Sequence, residues 1–330
     1  MLSLYDKLDA VYSANSSYIE RKLFSPVTQM AENDPTRMNS IEEIKFFLDT
    51  QQEGRYETLV SQTMNGLTPA ELEQFSTVVK SVWEMSGELG VPTITFGTLL
   101  RQIYQNRLVN LFLSDMESVL EVGPGSGYLP VLVARSGRKV VSTDVTQALF
   151  VTQALLYNYL GYINKPKWGF PFSDEKTVMF ESSSFEHLPW WQFRNLIEPG
   201  CGQVESIVIN CAVCELHKWA VQHLLVVAQN LGVKRFLMDS TGHQTPNRTI
   251  QNVAAEFRMH GYEVAHAGED IFVFDRSDVQ LPLPTSIRPA QTNQYGIDDV
   301  KSIIFDLTGI REMLPPSETF YSHIKRPGQV

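Results

Sequence analysis

Cysteine is scarce, with three in 330 residues. A small, odd number argues against a disulfide framework and fits a reducing compartment, so a cytoplasmic location is expected. No apolar run is long enough to cross a bilayer. Residues 1–9 lack a basic stretch followed by an apolar one, so no secretory signal is expected. Positive charge is also short: 27 Lys and Arg stand against 37 Asp and Glu, a net charge of -10. Without a basic cluster to neutralise phosphates, neither nucleic acid nor an anionic membrane surface is an expected partner. A small-molecule substrate suits the composition better. Internal repeats and low-complexity tracts are missing too.

What is present is a chain 43% hydrophobic, long enough for one domain with a sizeable additional lobe. Residues 1–115 read as a helical amino-terminal lobe or lid. A capping box opens one helix at Ser40 to Glu43 and a better one opens another at Thr68-Pro69-Ala70-Glu71, with proline at the first helical position. A further helix is expected over about 98–113. From 116 to 279 strands alternate with helices, the pattern of a parallel sheet. Strands are expected at 118–122, 139–144, 177–180, 204–210 and 234–239, with an antiparallel pair at 262–264 and 271–274. Leu281-Pro282-Leu283-Pro284 marks a linker, and 280–330 is a carboxyl-terminal extension with a helix near 298–307.

The chemistry centres on Ser118-Val119-Leu120-Glu121-Val122-Gly123-Pro124-Gly125-Ser126-Gly127-Tyr128. An apolar strand ends in glycines at alternate positions. Glycine suits a backbone that takes positive φ and lets a ligand come close. A dinucleotide fingerprint would want glycine at 128, where this chain has Tyr128. A second acid, Asp144, closes the next strand, where a carboxylate can accept both hydroxyls of a ribose.

Glu121-x-Gly123-x-Gly125-x-Gly127, followed by Asp144, resembles motif I and its partner acid in the class I S-adenosylmethionine (SAM)-dependent methyltransferases, and more loosely a group of sugar O-methyltransferases. The resemblance covers about 116–276. It implies a Rossmann-like α/β fold of seven strands, mostly parallel with the last antiparallel, and SAM as cofactor. Glu121, Gly123, Gly125, Gly127, Tyr128 and Asp144 would line the SAM site. The resemblance also places the adenine contact after the third strand, where this chain offers Ser183 and Phe185 in place of the usual acid. Asn210, after the fourth strand, would hold the methionine end or a substrate polar group.

In-line methyl transfer needs a nucleophile close to the methyl and often a base. His217 and His243 follow strand ends, and histidine titrates near neutrality. Glu215 is a third candidate for substrate contact. For each the bland reading is an exposed or helix-capping residue. Cys201, Cys211, Cys214 and His217 form at most a loose zinc set, better read as small buried residues at a strand end, so no metal is expected. Trp190 and Trp191 read first as packing and second as a stacking surface. The expected activity is O-methylation of a small polar metabolite, as in small-molecule biosynthesis. One alternative is a SAM enzyme that transfers no methyl, by aminocarboxypropyl transfer or by ring closure to azetidine-2-carboxylate with release of methylthioadenosine. Another is a non-catalytic SAM-binding partner protein. An NAD enzyme is disfavoured by Tyr128.

Overall fold

The computed structural model describes residues 1–15, 37–44, 47, 56–90, 94–163, 180, 183–210, 212–214, 216–240, 249–268, 270–286 and 295–311. Its centre is a seven-stranded sheet in the order β3-β2-β1-β4-β5-β7-β6. The strands are β1 (Ser118–Val122), β2 (Lys139–Asp144), β3 (Phe185–Pro189), β4 (Ser206–Val208), β5 (Arg235–Asp239), β6 (Tyr262–Gly268) and β7 (Ile271–Arg276). The first five pair in parallel, and β7 runs antiparallel to both β5 and β6. Every residue of β1 and β5 is buried, as strands covered on both faces must be.

Helices cover both faces. The α-helices of five or more residues among the described residues are, in chain order, α1 (Leu2–Asn15), α2 (Pro69–Leu89), α3 (Phe96–Phe112), α4 (Tyr128–Arg135), α5 (Gln147–Tyr159), α6 (Trp190–Arg194), α7 (Lys218–Leu231), α8 (Ile250–Met259) and α9 (Ile297–Thr308). One core joins α2, α3, α4 and α9 to the sheet through Val79, Leu99, Leu129, Val133, Val273 and Ile304. The opposite core joins α7 and α8 to it through Leu224, Leu225, Phe236, Phe257 and Phe274. A third cluster packs Tyr5, Leu8 and Tyr12 of α1 against Phe150, Trp190 and Trp191.

Local chemistry explains where the amino-terminal helices begin and stop. Thr68 and Glu71 cap α2 reciprocally: Glu71 N donates to Thr68 Oγ1 at 3.2 Å and Thr68 N to Glu71 Oε2 at 2.8 Å. The helix ends at Gly90 in the left-handed region, φ 67°. The box expected at Ser40 does not form. Its side chain makes no cap and Glu43 accepts from Asn39 N instead; a 3-10 turn, Ile41–Glu43, follows, with Ile44 and Phe47 helical beyond it. Arg107 of α3 forks onto both oxygens of Glu71 and reaches the carbonyls of Met64 and Gly66. Arg235, 1% exposed, grips Asp275 with two nitrogens and the Phe112 carbonyl with the third. The part-buried Arg107 thus ties α3 to the start of α2, and the buried Arg235 ties the end of α3 to β5 and β7.

The third strand differs from expectation. It is Phe185–Pro189, pairing Val140 with Phe185 and Asp144 with Pro189. Thr177, Val178 and Met179 lie outside the described residues, and Phe180 sits in a turn at φ 63°. The apolar run at 177–180 looked more strand-like, but the five residues after the serines fit beside β2.

Candidate functional site: the carboxyl edge of the sheet

After β1 the backbone turns on three glycines, Gly123, Gly125 and Gly127, at φ 71°, 58° and 81°. Side chains other than glycine rarely occupy that region. A Cβ at Gly127 would also stand 2.9 Å from Gln153 Cγ and 2.9 Å from the Tyr157 hydroxyl. The turn is held from above by α3. Gln102 accepts from Leu129 N at 2.6 Å and donates to the Pro124 carbonyl at 3.1 Å. Thr95, just before α3, meets the Ser126 hydroxyl at 3.2 Å, and its N–H donates to the Tyr128 hydroxyl at 3.2 Å.

Tyr128 is therefore a packing residue, 1% exposed, with its phenol turned into the lobe. The same bonds bear on ligand class. A pyrophosphate needs the free N–H groups at the start of the helix, and Gln102 already takes the one at Leu129.

Asp144, 5% exposed, ends β2 facing this turn. Thr146 N donates to its Oδ1 at 2.8 Å and Gln153 Nε2 to its Oδ2 at 3.0 Å. Burial pushes its carboxyl up to about 6, against the pull of the Thr146 and Gln153 hydrogen bonds. Glu121, buried on β1, is raised well above the carboxylate range by burial and by the charge of Asp144. Thr143 Oγ1 and Gln153 Oε1 are buried with no hydrogen-bond partner among the described residues.

A second polar group closes β4 and β5. Asp239, 2% exposed, accepts from Arg101 Nη2 at 2.7 Å and from Gln105 Nε2 at 3.0 Å. Its own N–H donates to Asn210 Oδ1 at 2.9 Å, which leaves Asn210 Nδ2 buried without a partner among the described residues. Burial raises the Asp239 carboxyl, opposed by Arg101 and Gln105.

Over the end of β3 lies α1. Asp9 accepts from Trp190 Nε1 at 2.7 Å and pairs with Arg37. Gln147 donates to Asp6 at 2.9 Å and accepts from Met38 N at 3.0 Å. Tyr12 stacks on Trp191, 5.1 Å between centroids and 11° between planes. Tyr5 is buried, its phenol raised first by burial and then by the charge of Asp9, with Asp144 among the lesser causes. Trp190 and Trp191 are thus packing residues under α1.

The structure brings Glu121, Gly123, Gly125, Gly127, Tyr128, Asp144 and Asn210 to one edge. Ser183 and Phe185 do not join them. In the observed register they begin β3 at the amino edge of the sheet, opposite Asp144. The Ser183 hydroxyl is bonded to the Phe185 backbone and the Phe185 ring packs edge-on against Tyr157. Their assignment to an adenine pocket is corrected: the strand lies after the serines, so its carboxyl end carries Pro189 and Trp190. His217 caps α7, its Nδ1 accepting from Trp219 N at 3.3 Å. Glu215, Cys211 and His243 lie outside the described residues. Cys201 and Cys214 are buried, and Cys201 Sγ donates to the Glu198 carbonyl at 3.0 Å. The sequence reading missed Arg101, Gln102, Gln105, Gln153 and Asp239. One signal was present: Thr98, Arg101, Gln102 and Gln105 form a polar stripe at helical spacing on α3.

The strand order with β7 reversed, a glycine turn after β1 and an acid at the end of β2 form the Rossmann-like seven-stranded arrangement that the sequence resemblance implied. No protein-family profile matches the chain. It is 37% identical over 79 residues to a protein-L-isoaspartate O-methyltransferase of Herpetosiphon aurantiacus, covering 23% of this chain and 35% of that protein. The match thus spans about a third of that relative's length. Similar solved structures include the magnesium protoporphyrin IX methyltransferase of Synechocystis PCC 6803 with bound SAM, at TM-score 0.37 and 13% identity over 54% of this chain and 82% of that one. The pyocyanin biosynthetic protein PhzM has TM-score 0.37 and 13% identity over 72% and 74%. An rRNA methylase from Escherichia coli has TM-score 0.35 and 14% identity over 66% and 81%.

Proposed function

We propose that the chain is a SAM-dependent transferase that methylates an oxygen of a small polar metabolite. The observation that carries this reading is the facing pair of glycine turn and buried Asp144 at the carboxyl edge of a parallel sheet, where open α/β sheets bind ligands. The residues fit a nucleoside. Asp144 offers a carboxylate for two ribose hydroxyls, the turn carries no Cβ at Gly123, Gly125 and Gly127, and Thr143 Oγ1 and Gln153 Oε1 are buried polar atoms with no partner among the described residues. Bound SAM supplies an activated methyl on a sulfonium.

The chain's own part is to bind, orient and shield. Asp144 holds the sugar, Glu121 sits behind it, and the Gln102-clamped turn fixes the backbone against which the ligand lies. Asn210, Arg101 and Asp239 form the polar side toward an acceptor. The net charge of -10 favours a small acceptor over a polyanion.

A second reading has one observation in its favour. His217, one of the candidate bases, is engaged as a helix cap, which suits a reaction needing no base. There the amino group of SAM would attack its own chain beside sulfur. The carbon–nitrogen bond would form as carbon–sulfur breaks, releasing methylthioadenosine and a proton. Incubation with SAM and mass spectrometry separates the readings. S-adenosylhomocysteine formed only with an acceptor supports methyl transfer; methylthioadenosine formed without one refutes it in favour of the second.

A further inference from the structure

We propose that Gln153 is a positioning residue of the SAM site, whose single side-chain amide joins the ribose carboxylate to the glycine turn and keeps that carboxylate ready to accept a ligand. The proposal rests on the reading of Gly123–Gly127 and Asp144 as the SAM site.

Gln153 lies on α5 and is fully buried. Its Nε2 donates to the Gly125 carbonyl at 2.7 Å and to Asp144 Oδ2 at 3.0 Å. Both partners are acceptors, so the amide is oriented by its surroundings: only its NH2 end can face them. One group thus bridges the loop after β1 and the end of β2, which the sheet joins but whose tips it leaves separate. The side-chain stem fits because residue 127 has no Cβ, which would stand 2.9 Å from Gln153 Cγ. Turn, amide and carboxylate are therefore packed as one body.

The other end of the amide points to a ligand. Gln153 Oε1 is buried with no partner among the described residues. An acceptor left in that state is unfavourable unless something donates to it. It belongs to the same amide that touches Asp144, beside the place where ribose hydroxyls would sit. A hydroxyl or ammonium of the bound ligand is the donor it suits.

The amide also acts on charge. A donor to a carboxylate favours its ionised form, and Asp144 rests at about 6 with Gln153 among the groups holding it down. Glu121 of β1, Tyr5 of α1 and Tyr157 of α5 are coupled to it by charge, Asp6, Asp9 and Arg37 act on the same Tyr5, and His187 of β3 pairs in register with Ser142, two residues before it. The two tyrosines are pushed up and His187 down to about 4 by burial, so these three stay neutral around pH 6. Glu121 is coupled to Asp144, and a Glu121→Gln background separates their titrations.

The test is calorimetric titration with S-adenosylhomocysteine, which carries no transferable methyl, from about pH 5.5 to 8.5. In the wild type, affinity is expected to fall by half near pH 6 on the acid side. In Gln153→Met, which keeps the volume and removes the donor, the midpoint is expected to rise by about one pH unit. In Gln153→Glu, a second carboxyl faces Asp144, and affinity should no longer climb between pH 6 and 8. This variant decides the matter if the methionine protein does not fold. A wild-type profile in either folded variant, or a loss equal at every pH, overturns the role of Gln153 and leaves the SAM site standing. Failure of the wild type to bind at any pH overturns both.

Discussion

At the scale of single residues, buried titratable groups set opposite demands on this protein. Asp144 has its carboxyl raised to about 6 from an ordinary 3.8. The folded state thus holds a proton that the unfolded chain has released between those values, and stability falls as pH rises through that window. At neutral pH the burden remains until a ligand donates to the carboxylate. Asp144→Asn should therefore melt higher than the wild type without ligand at pH 7, yet bind SAM about 1–3 kcal/mol more weakly. Scanning calorimetry and titration calorimetry check the two halves, and unchanged affinity would remove Asp144 from the site. His187 behaves inversely. It is buried, stacked on Phe150 at 4.0 Å, and lowered from 6.5 to about 4. The unfolded chain takes up the proton first, so stability present above pH 6.5 is lost as pH falls toward 4, by about 3 kcal/mol. His187→Phe should flatten that acid limb in denaturant melts at pH 7 and pH 5. A limb of unchanged slope would place the acid sensitivity elsewhere, with His223 the next candidate because burial also lowers it to about 4.

At the scale of elements, the glycine turn and α3 work as one piece. Gln102 accepts from Leu129 N in the first turn of α4 and donates to the Pro124 carbonyl of the turn. Gln102→Leu should leave those backbone groups unmatched in a buried place and lower stability by about 1–3 kcal/mol, with weaker SAM binding alongside. Gly127→Ala should do comparable harm through strain at φ 81° and the 2.9 Å contacts behind it, seen as a lower melting temperature. A neutral result for Gly127→Ala would mean that the turn has slack. The turn itself was legible in the sequence because its whole signal is local: an apolar strand, spaced glycines and the next acid fall within Glu121 to Asp144. The Thr68–Glu71 cap was legible for the same reason, being a contact between residues three apart. The Ser40 box shows the limit of that logic, since Glu43 found the Asn39 backbone instead. What could not be read was the service of α3 to the site. Arg101 meets Asp239 across 138 positions and Gln102 meets Leu129 across 27, and no periodicity carries such pairings. The third strand was misplaced because an apolar run outweighed Phe185–Pro189, whose charged and proline residues disguise a strand that pairs along its full length with β2.

Across the whole molecule, α1 and α3 meet the proposed site in different ways. α3 shares a core with the sheet, while α1 rests on a small aromatic cluster and a few polar contacts. Loosening α1 should therefore open the ribose end without unfolding the sheet. Asp9→Leu, which removes the partner of Trp190 and Arg37, should speed amide exchange in α1 while α4 and β1 keep their protection. Equal loss of protection in both would mean that α1 belongs to the same cooperative unit. The account's central claim concerns where a nucleoside lies. A crystal structure of the protein with S-adenosylhomocysteine tests it directly: the ribose hydroxyls are expected on the Asp144 carboxylate, with the ligand backbone crossing Gly123 to Gly127. A ligand bound away from that edge, or a ribose that leaves Asp144 untouched, would contradict it.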